Sequence, residues 1–191
     1  MATNILNKEL VAAACPGQEI SDIVTPDVHT NFDTFDGISD ESLDFIVGCH
    51  VIEHTRNPIG AIQGAYRKLR KGGKLVLVVP DKERTFDRER PVTSLAHLMQ
   101  DYQDPDNERD FQHYQEFYEL AFPVPESYRE ELTARRYQED YSIHFHVWNY
   151  EAFCELTDNI GRHVCSWSNV WAHPALPNRE SDIEFYFMLT K

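Results

Sequence analysis

Several of the chain's nine histidines fall in patterns that could do chemistry. His50-Val51-Ile52-Glu53-His54 spells H-x-x-E-H, a pattern in which two imidazoles one helical turn apart hold zinc and the glutamate acts as base. That reading requires a helix at 50–54 and a further ligand downstream. His144 and His146, in SIHFHVW, would share one face of a strand. Such a pair can bind metal, but no third ligand is defined near it, so no resident metal is assigned. Asp81, Lys82, Arg84 and Arg88 belong to the one basic concentration of the chain, DKERTFDRER. It could receive a phosphorylated or carboxylated substrate. Alternating signs equally describe a solvated salt-bridge face. His54 has two readings as well, a proton acceptor or a hydrogen-bonded histidine packed in the core.

Composition narrows the classes. A chain of 191 residues is long enough for one proper core, and one domain spanning 1–191 is expected. A hydrophobic content of 41% and an aromatic content of 12% exclude a disordered chain. A net charge of −14 argues against binding a nucleic-acid backbone or an anionic membrane. No apolar run is long enough to span a bilayer and no signal peptide is visible, so a cytoplasmic protein is expected. Cys15, Cys49, Cys154 and Cys165 are scattered without a C-x-x-C pair and read as free thiols.

The elements that must position these residues centre on 43–81. Leu43–Val47 is short, apolar and closed by Gly48, which predicts a buried strand. Ala61, Ile62, Ala65, Tyr66 and Leu69 recur at helical spacing after Pro58, which suits a first turn. Lys68, Arg70 and Lys71 would complement the end of that helix, with Gly72-Gly73 as its left-handed exit. Leu75–Val79 is a second buried strand ended by Pro80, completing a parallel βαβ unit. Upstream, Leu10–Cys15 and Asp22–Val24 read as short strands. Downstream, Thr93 or Ser94 starts a helix. His113–Ala121 is an aromatic helix suited to a lid or an interface. Ser127–Asp140 is a charged helix, and Asn149–Asn159 is a helix capped by Asn149 and ended by Gly161. His163–Trp171 and Ile183–Leu189 would close the sheet as an antiparallel pair.

Asp44-Phe45-Ile46-Val47, Val51-Ile52-Glu53-His54, Arg70-Lys71-Gly72-Gly73 and Val79-Pro80 together resemble the second half of a class I S-adenosylmethionine-dependent methyltransferase of the type 11 kind. Pro80-Asp81-Lys82 with Phe86-Asp87-Arg88 is similar to one subgroup of that family. The resemblance implies a Rossmann-like α/β methyltransferase fold. Its sheet would be mostly parallel with an antiparallel last strand, truncated at the N-terminus, with a substrate-region insertion at about 82–140. It implies Asp27 facing adenine, and Gly48, Cys49 and His50 lining the methionine end of the cofactor. It places Asp81, Lys82, Arg84 and Arg88 on the substrate. His54, His97 and His144 are the candidate bases if the acceptor is a hydroxyl. The family's Gly-rich cofactor loop has no counterpart before Asp22, where Gly17 stands alone. Cofactor binding is therefore expected to be weak or absent.

Two functions remain open: methyl transfer to a small or sugar-like acceptor, and an inactive methyltransferase-like binding protein. A metal-dependent hydrolase using His50, Glu53 and His54 is a minor third. Without a first strand the apolar edge at Leu43–Val47 would need cover, so a homodimer is expected, with the N-terminal strands and the aromatic helix at the interface.

Overall fold

The computed structural model describes residues 27–104, 109–122, 124–176 and 182–191. The strands expected at Leu10–Cys15 and Asp22–Val24 lie outside them. The first strand, β1 (Leu43–Cys49), leads through a 3-10 turn at Ile52–His54 into helix α1 (Pro58–Lys68). Asn57 caps α1 by accepting from the Gly60 N–H at 2.8 Å, and Pro58 takes the first turn as its fixed φ allows. Strand β2 (Leu69–Pro80) returns parallel to β1.

The closing strands β3 (Asn169–His173) and β4 (Glu184–Thr190) complete a sheet of order β1-β2-β4-β3. β4 inserts antiparallel between β2 and β3, the antiparallel finish anticipated from sequence. The sheet is mixed, and β1–β2 is its parallel pair among the described residues.

One face of this sheet is buried. Ile46, Leu75, Leu77, Val79, Phe185, Phe187 and Leu189 pack under α1 and under helix α5 (Tyr150–His163), which contributes Phe153, Leu156 and Ile160. Phe153 stacks obliquely on Phe187 at 4.9 Å between ring centres. The opposite face is open along β1, where Phe45 is 66% and Val47 57% exposed.

Between β2 and α5 the chain builds a cap. It comprises a 3-10 turn (Lys82–Arg84), α2 (Leu95–Gln103), α3 (Asp110–Glu116) with a π-helical turn (Phe117–Ala121), and α4 (Glu126–Gln138). Ser94 caps α2 through the His97 N–H. Tyr114, Tyr118, Leu132, Ile143 and Phe145 form a small apolar cluster of the cap's own.

Three local expectations are corrected. Gly72-Gly73 does not end α1; the helix stops at Lys68, because Leu69 is fully buried and extends to pair with Leu43. Arg70, Lys71 and both glycines therefore belong to β2, with Gly72 at φ +80°. Gly161 lies inside α5, which runs on to His163. His144 and His146 are not on a strand, for 141–147 is extended chain with no neighbouring strand. Its backbone is tied instead to the Glu53 carbonyl by the Phe145 N–H at 2.8 Å, and to Thr93 by the Thr93 N–H donating to the Val147 carbonyl at 2.9 Å. No helix among the described residues is long and apolar enough to cross a membrane.

Candidate active site

The site is assembled where the end of β1 meets the 141–147 segment. The carboxyl ends of parallel strands are where ligands bind in such sheets. Just past β1, His50 takes a left-handed conformation, φ +51°, and its Nε2 lies 3.2 Å from Glu184 Oε1. The following turn buries Glu53, whose carbonyl anchors the 141–147 segment. Neither Glu53 carboxylate oxygen has a hydrogen-bond partner. Burial raises its pKa above the ordinary range, against the lowering influence of its own backbone N–H and of the nearby His144 and His50.

His54 Nδ1 lies 2.8 Å from the Ile143 carbonyl, which can only accept, so Nδ1 carries the proton and Nε2 the lone pair. Burial, and then the charge of His144, lower the His54 pKa. His144 Nδ1 stands 2.6 Å from Asp87 Oδ2. Burial works to raise the Asp87 carboxyl, but the hydrogen bond and charge of His144, with the charge of Arg90, hold it below the ordinary value. Arg90 is wholly buried. It donates to Asp87 Oδ1 at 3.0 Å, to Glu116 Oε1 at 2.8 Å and to the carbonyls of His144 and Phe145.

Asp87 thus fixes the His144 imidazole with Nδ1 as donor and leaves Nε2 as the available base. This is how a buried carboxylate orients a catalytic histidine. The His54 and Phe86 rings each lie 4.8 Å from His144, centre to centre.

Two openings adjoin here. A cavity of about 250 Å³ is lined by His54 and His144 among aromatics that include Phe86, Phe117, Tyr118 and Tyr141. A larger cleft of about 570 Å³ lies over the end of β1, lined by Phe32, Asp33, His50, Arg56 and Asp140 among others. His54, Tyr141 and Ser142 line both openings, so a molecule in one abuts a molecule in the other.

The family model described as a methyltransferase domain matches residues 2–164, and the chain belongs to that family. No curated protein matches it. Among solved structures, the chain resembles an S-adenosylmethionine-dependent methyltransferase from Thermotoga maritima at 18% identity and TM-score 0.41, over 81% of this chain and 59% of that one. It also resembles the methyltransferase domain of the citrinin polyketide synthase at 12% identity and TM-score 0.43, over 84% of this chain and 31% of that one. A third likeness, to the DszA carbon methyltransferase, has 16% identity and TM-score 0.39 over 81% and 30%. The chain thus spans between 30% and 59% of those proteins' own lengths.

Membership implies S-adenosylmethionine as the methyl donor. The β1 cleft fits such a group in size, being within the roughly 300–1,000 Å³ of small-molecule sites. In chemistry, Asp33 lines it and suits a cationic sulfonium or ammonium, while Asp140 and Glu139 are paired with Arg56 and Arg136.

The residues singled out in the sequence scatter over this geometry. His54 and His144 meet at the cavity, whereas His97 joins Asp101, His113 and His146 elsewhere in the cap. His50 lines the cleft, Cys49 is exposed, and Gly48 is buried where an added Cβ would meet Leu77 and Phe32 at 3.2 and 3.3 Å. Asp27 is exposed. Asp81 caps the turn at Glu83, Lys82 Nζ donates to the Arg88 carbonyl, and Arg84 donates to the carbonyls of Leu176 and Asp182. Lys82 thus braces the start of the cap, Arg84 ties it to the chain between β3 and β4, and Arg88 is exposed.

The helix that zinc would need at 50–54 is not formed, because Ile52–His54 is a 3-10 turn with His50 outside it. Asp87 is not among the site residues the sequence points to, and Arg90 stands there only within DKERTFDRER, a stretch open to two readings, an anion-binding segment or a solvated salt-bridge face.

Proposed function

We propose that the protein transfers a methyl group from S-adenosylmethionine to a hydroxyl of a small, sugar-like acceptor, with His144 as the general base. The observation that carries this reading is the 2.6 Å contact of His144 Nδ1 with Asp87 beside the 250 Å³ cavity. When bound, S-adenosylmethionine supplies an electrophilic methyl whose sulfur leaves as a neutral thioether.

The chain's own residues do the rest. His144 Nε2 accepts the hydroxyl proton, and Asp87 stabilises the imidazolium so formed. Aromatic rings around the cavity give the apolar face of a sugar a surface to stack on, and Arg136 and Ser142 supply polar contacts. Alignment of the two molecules across the wall made by His54, Tyr141 and Ser142 supplies much of the rate, as in any two-substrate displacement.

The donor is held weakly by this chain alone, because the sequence before Asp22 offers a single glycine where a cofactor loop would present several backbone amides. That feature also supports the second reading, a methyltransferase-like protein that binds without catalysis. Calorimetric titration with S-adenosylmethionine and S-adenosylhomocysteine, followed by mass spectrometry of a panel of monosaccharides incubated with donor and protein, tests both. A dissociation constant above about 10 µM together with a methylated product is expected. Tight binding contradicts the weak-donor reading, and saturable binding without product from any acceptor supports the second.

We also propose that two copies associate along the open face of β1, in the two-fold manner commonest for such contacts. Phe45 and Val47, exposed side by side, support it.

A further inference from the structure

Three histidines and an aspartate converge in the cap, away from the His54–His144 pair. His97 and Asp101 stand one turn apart on α2, His113 comes from α3, and His146 comes from the 141–147 segment. One ligand atom from each lies within 4.8 Å of all the others. His97 Nε2 is 3.0 Å from Asp101 Oδ2 and 3.4 Å from His113 Nε2, and His146 Nε2 is 3.7 Å from the same Asp101 oxygen. Zinc–nitrogen distances of about 2.0–2.1 Å give a tetrahedron with edges of roughly 3.3 Å. These three separations, 3.0, 3.4 and 3.7 Å, lie about that edge, and the remaining pairs are within 4.8 Å.

We propose that these four residues form a tetrahedral site for a divalent transition metal of the zinc class.

The surroundings agree with it. The rings crowd edge to face, with the His113 and His146 centres 5.0 Å apart and the His97 and His113 centres also 5.0 Å. His146 is wholly buried, and its Nδ1 has no hydrogen-bond partner. Nitrogen and carboxylate donors together suit zinc better than calcium or magnesium, which prefer oxygen alone. One outer contact that orients a metal ligand is in place, the donation of Arg109 Nε to Asp101 Oδ1 at 3.0 Å. His146 Nε2 itself lies 3.2 Å from the Arg56 carbonyl, a contact that ligation through this nitrogen would replace. A cavity of about 150 Å³ lined by His97 and His113 gives an entry path.

The site would clamp α2, α3 and the segment that carries His144 onto one point. A metal bound to the folded state stabilises it by mass action.

The test uses the full chain, with zinc and cobalt as probes. Elemental analysis of the purified protein should find about one zinc per chain. Cobalt added to stripped protein should give the strong visible absorption of a tetrahedral ion. Chelation should lower the melting temperature and zinc should restore it. His113→Gln should abolish stoichiometric binding. His97→Gln, at a partly exposed position, should weaken it at least tenfold while the circular dichroism spectrum stays native. His54→Ala should retain the metal, since His54 belongs to the other histidine group. Absence of a tetrahedral cobalt spectrum, or metal content unchanged in folded His97→Gln, would overturn the proposal. So would loss of the ion in His54→Ala, which would move it to Glu53, His54 and His144.

Discussion

The sheet and the cap hold themselves together by different physics. Around β2 the stabilising groups are aliphatic and aromatic, with Leu75, Leu77, Val79, Phe185 and Phe187 all but inaccessible to water. In the cap the most deeply buried side chains include charged and titratable ones: Arg90, Asp87, Asp101, His113 and His146. An apolar core loses stability in proportion to the area and cavity a truncation leaves. A buried polar network loses it in another way when one partner goes, because the others stay desolvated and unpaired. The sheet is therefore a platform, and the candidate site sits in the layer where polar groups are fixed against each other.

The largest stability effects test that contrast. Arg90→Ala should cost about 3–5 kcal/mol, since it strands Asp87 and two carbonyls in the interior. Leu77→Ala should cost about 2–5 kcal/mol through lost area and a cavity. Their patterns in hydrogen exchange should differ. Arg90→Ala should deprotect the 82–147 region while β2 and β4 stay protected, whereas Leu77→Ala should lower protection throughout. Uniform loss in both variants would erase the distinction between the regions.

A smaller effect is expected at Glu53, which lies on the boundary. Its pKa is raised from 4.5, so the fold disfavours the ionised form. Below pH 4.5 both folded and unfolded states hold the proton and burial costs no ionisation penalty. As pH rises, the unfolded state ionises first and the folded state loses stability until its own carboxyl titrates. Glu53→Gln should thus be near neutral at low pH and stabilise by about 1–2 kcal/mol at pH 8, seen in denaturant midpoints. An equal effect at both pH values would show that Glu53 is not the titrating group.

The smallest effect belongs to the open side of the sheet. Val47→Lys should change monomer stability by less than about 0.5 kcal/mol. It should still shift any dimer towards monomer in light scattering over a dilution series. A single 22.3 kDa species of the parent chain at all concentrations would contradict self-association.

The same contrast governs how much could be seen in the sequence. α1 was legible because its apolar residues recur at the helical period, and β1 and β2 as short apolar runs, although β1 is not the buried strand expected, since Phe45 and Val47 face out. Asn57, Ser94 and Asn149 cap where short polar side chains should. The errors came where a local signal competed with burial. Lys68 to Gly73 looked like a helix end, but Leu69 is drawn into the ladder beside Leu43. Gly161 adopts no left-handed conformation, so the helix passes through it.

The site was legible only in part. His54 and His144 stood out as residue types, but the partner of His144 lies 57 residues away and no periodicity joins them. His97 and Asp101 show helical spacing, yet His113 and His146 reach them only through the packing of the cap.

The central claim is that the Asp87-held imidazole of His144 does chemistry and not merely packing. The most direct measurement is methyl transfer from labelled S-adenosylmethionine to a hydroxyl acceptor by the parent chain and by His144→Gln, with melting temperatures recorded beside it. The account predicts transfer reduced about 10²–10⁴-fold in the variant, with little change in melting temperature. A variant that melts early but turns over at the parent rate when folded would assign His144 to the scaffold and contradict the account.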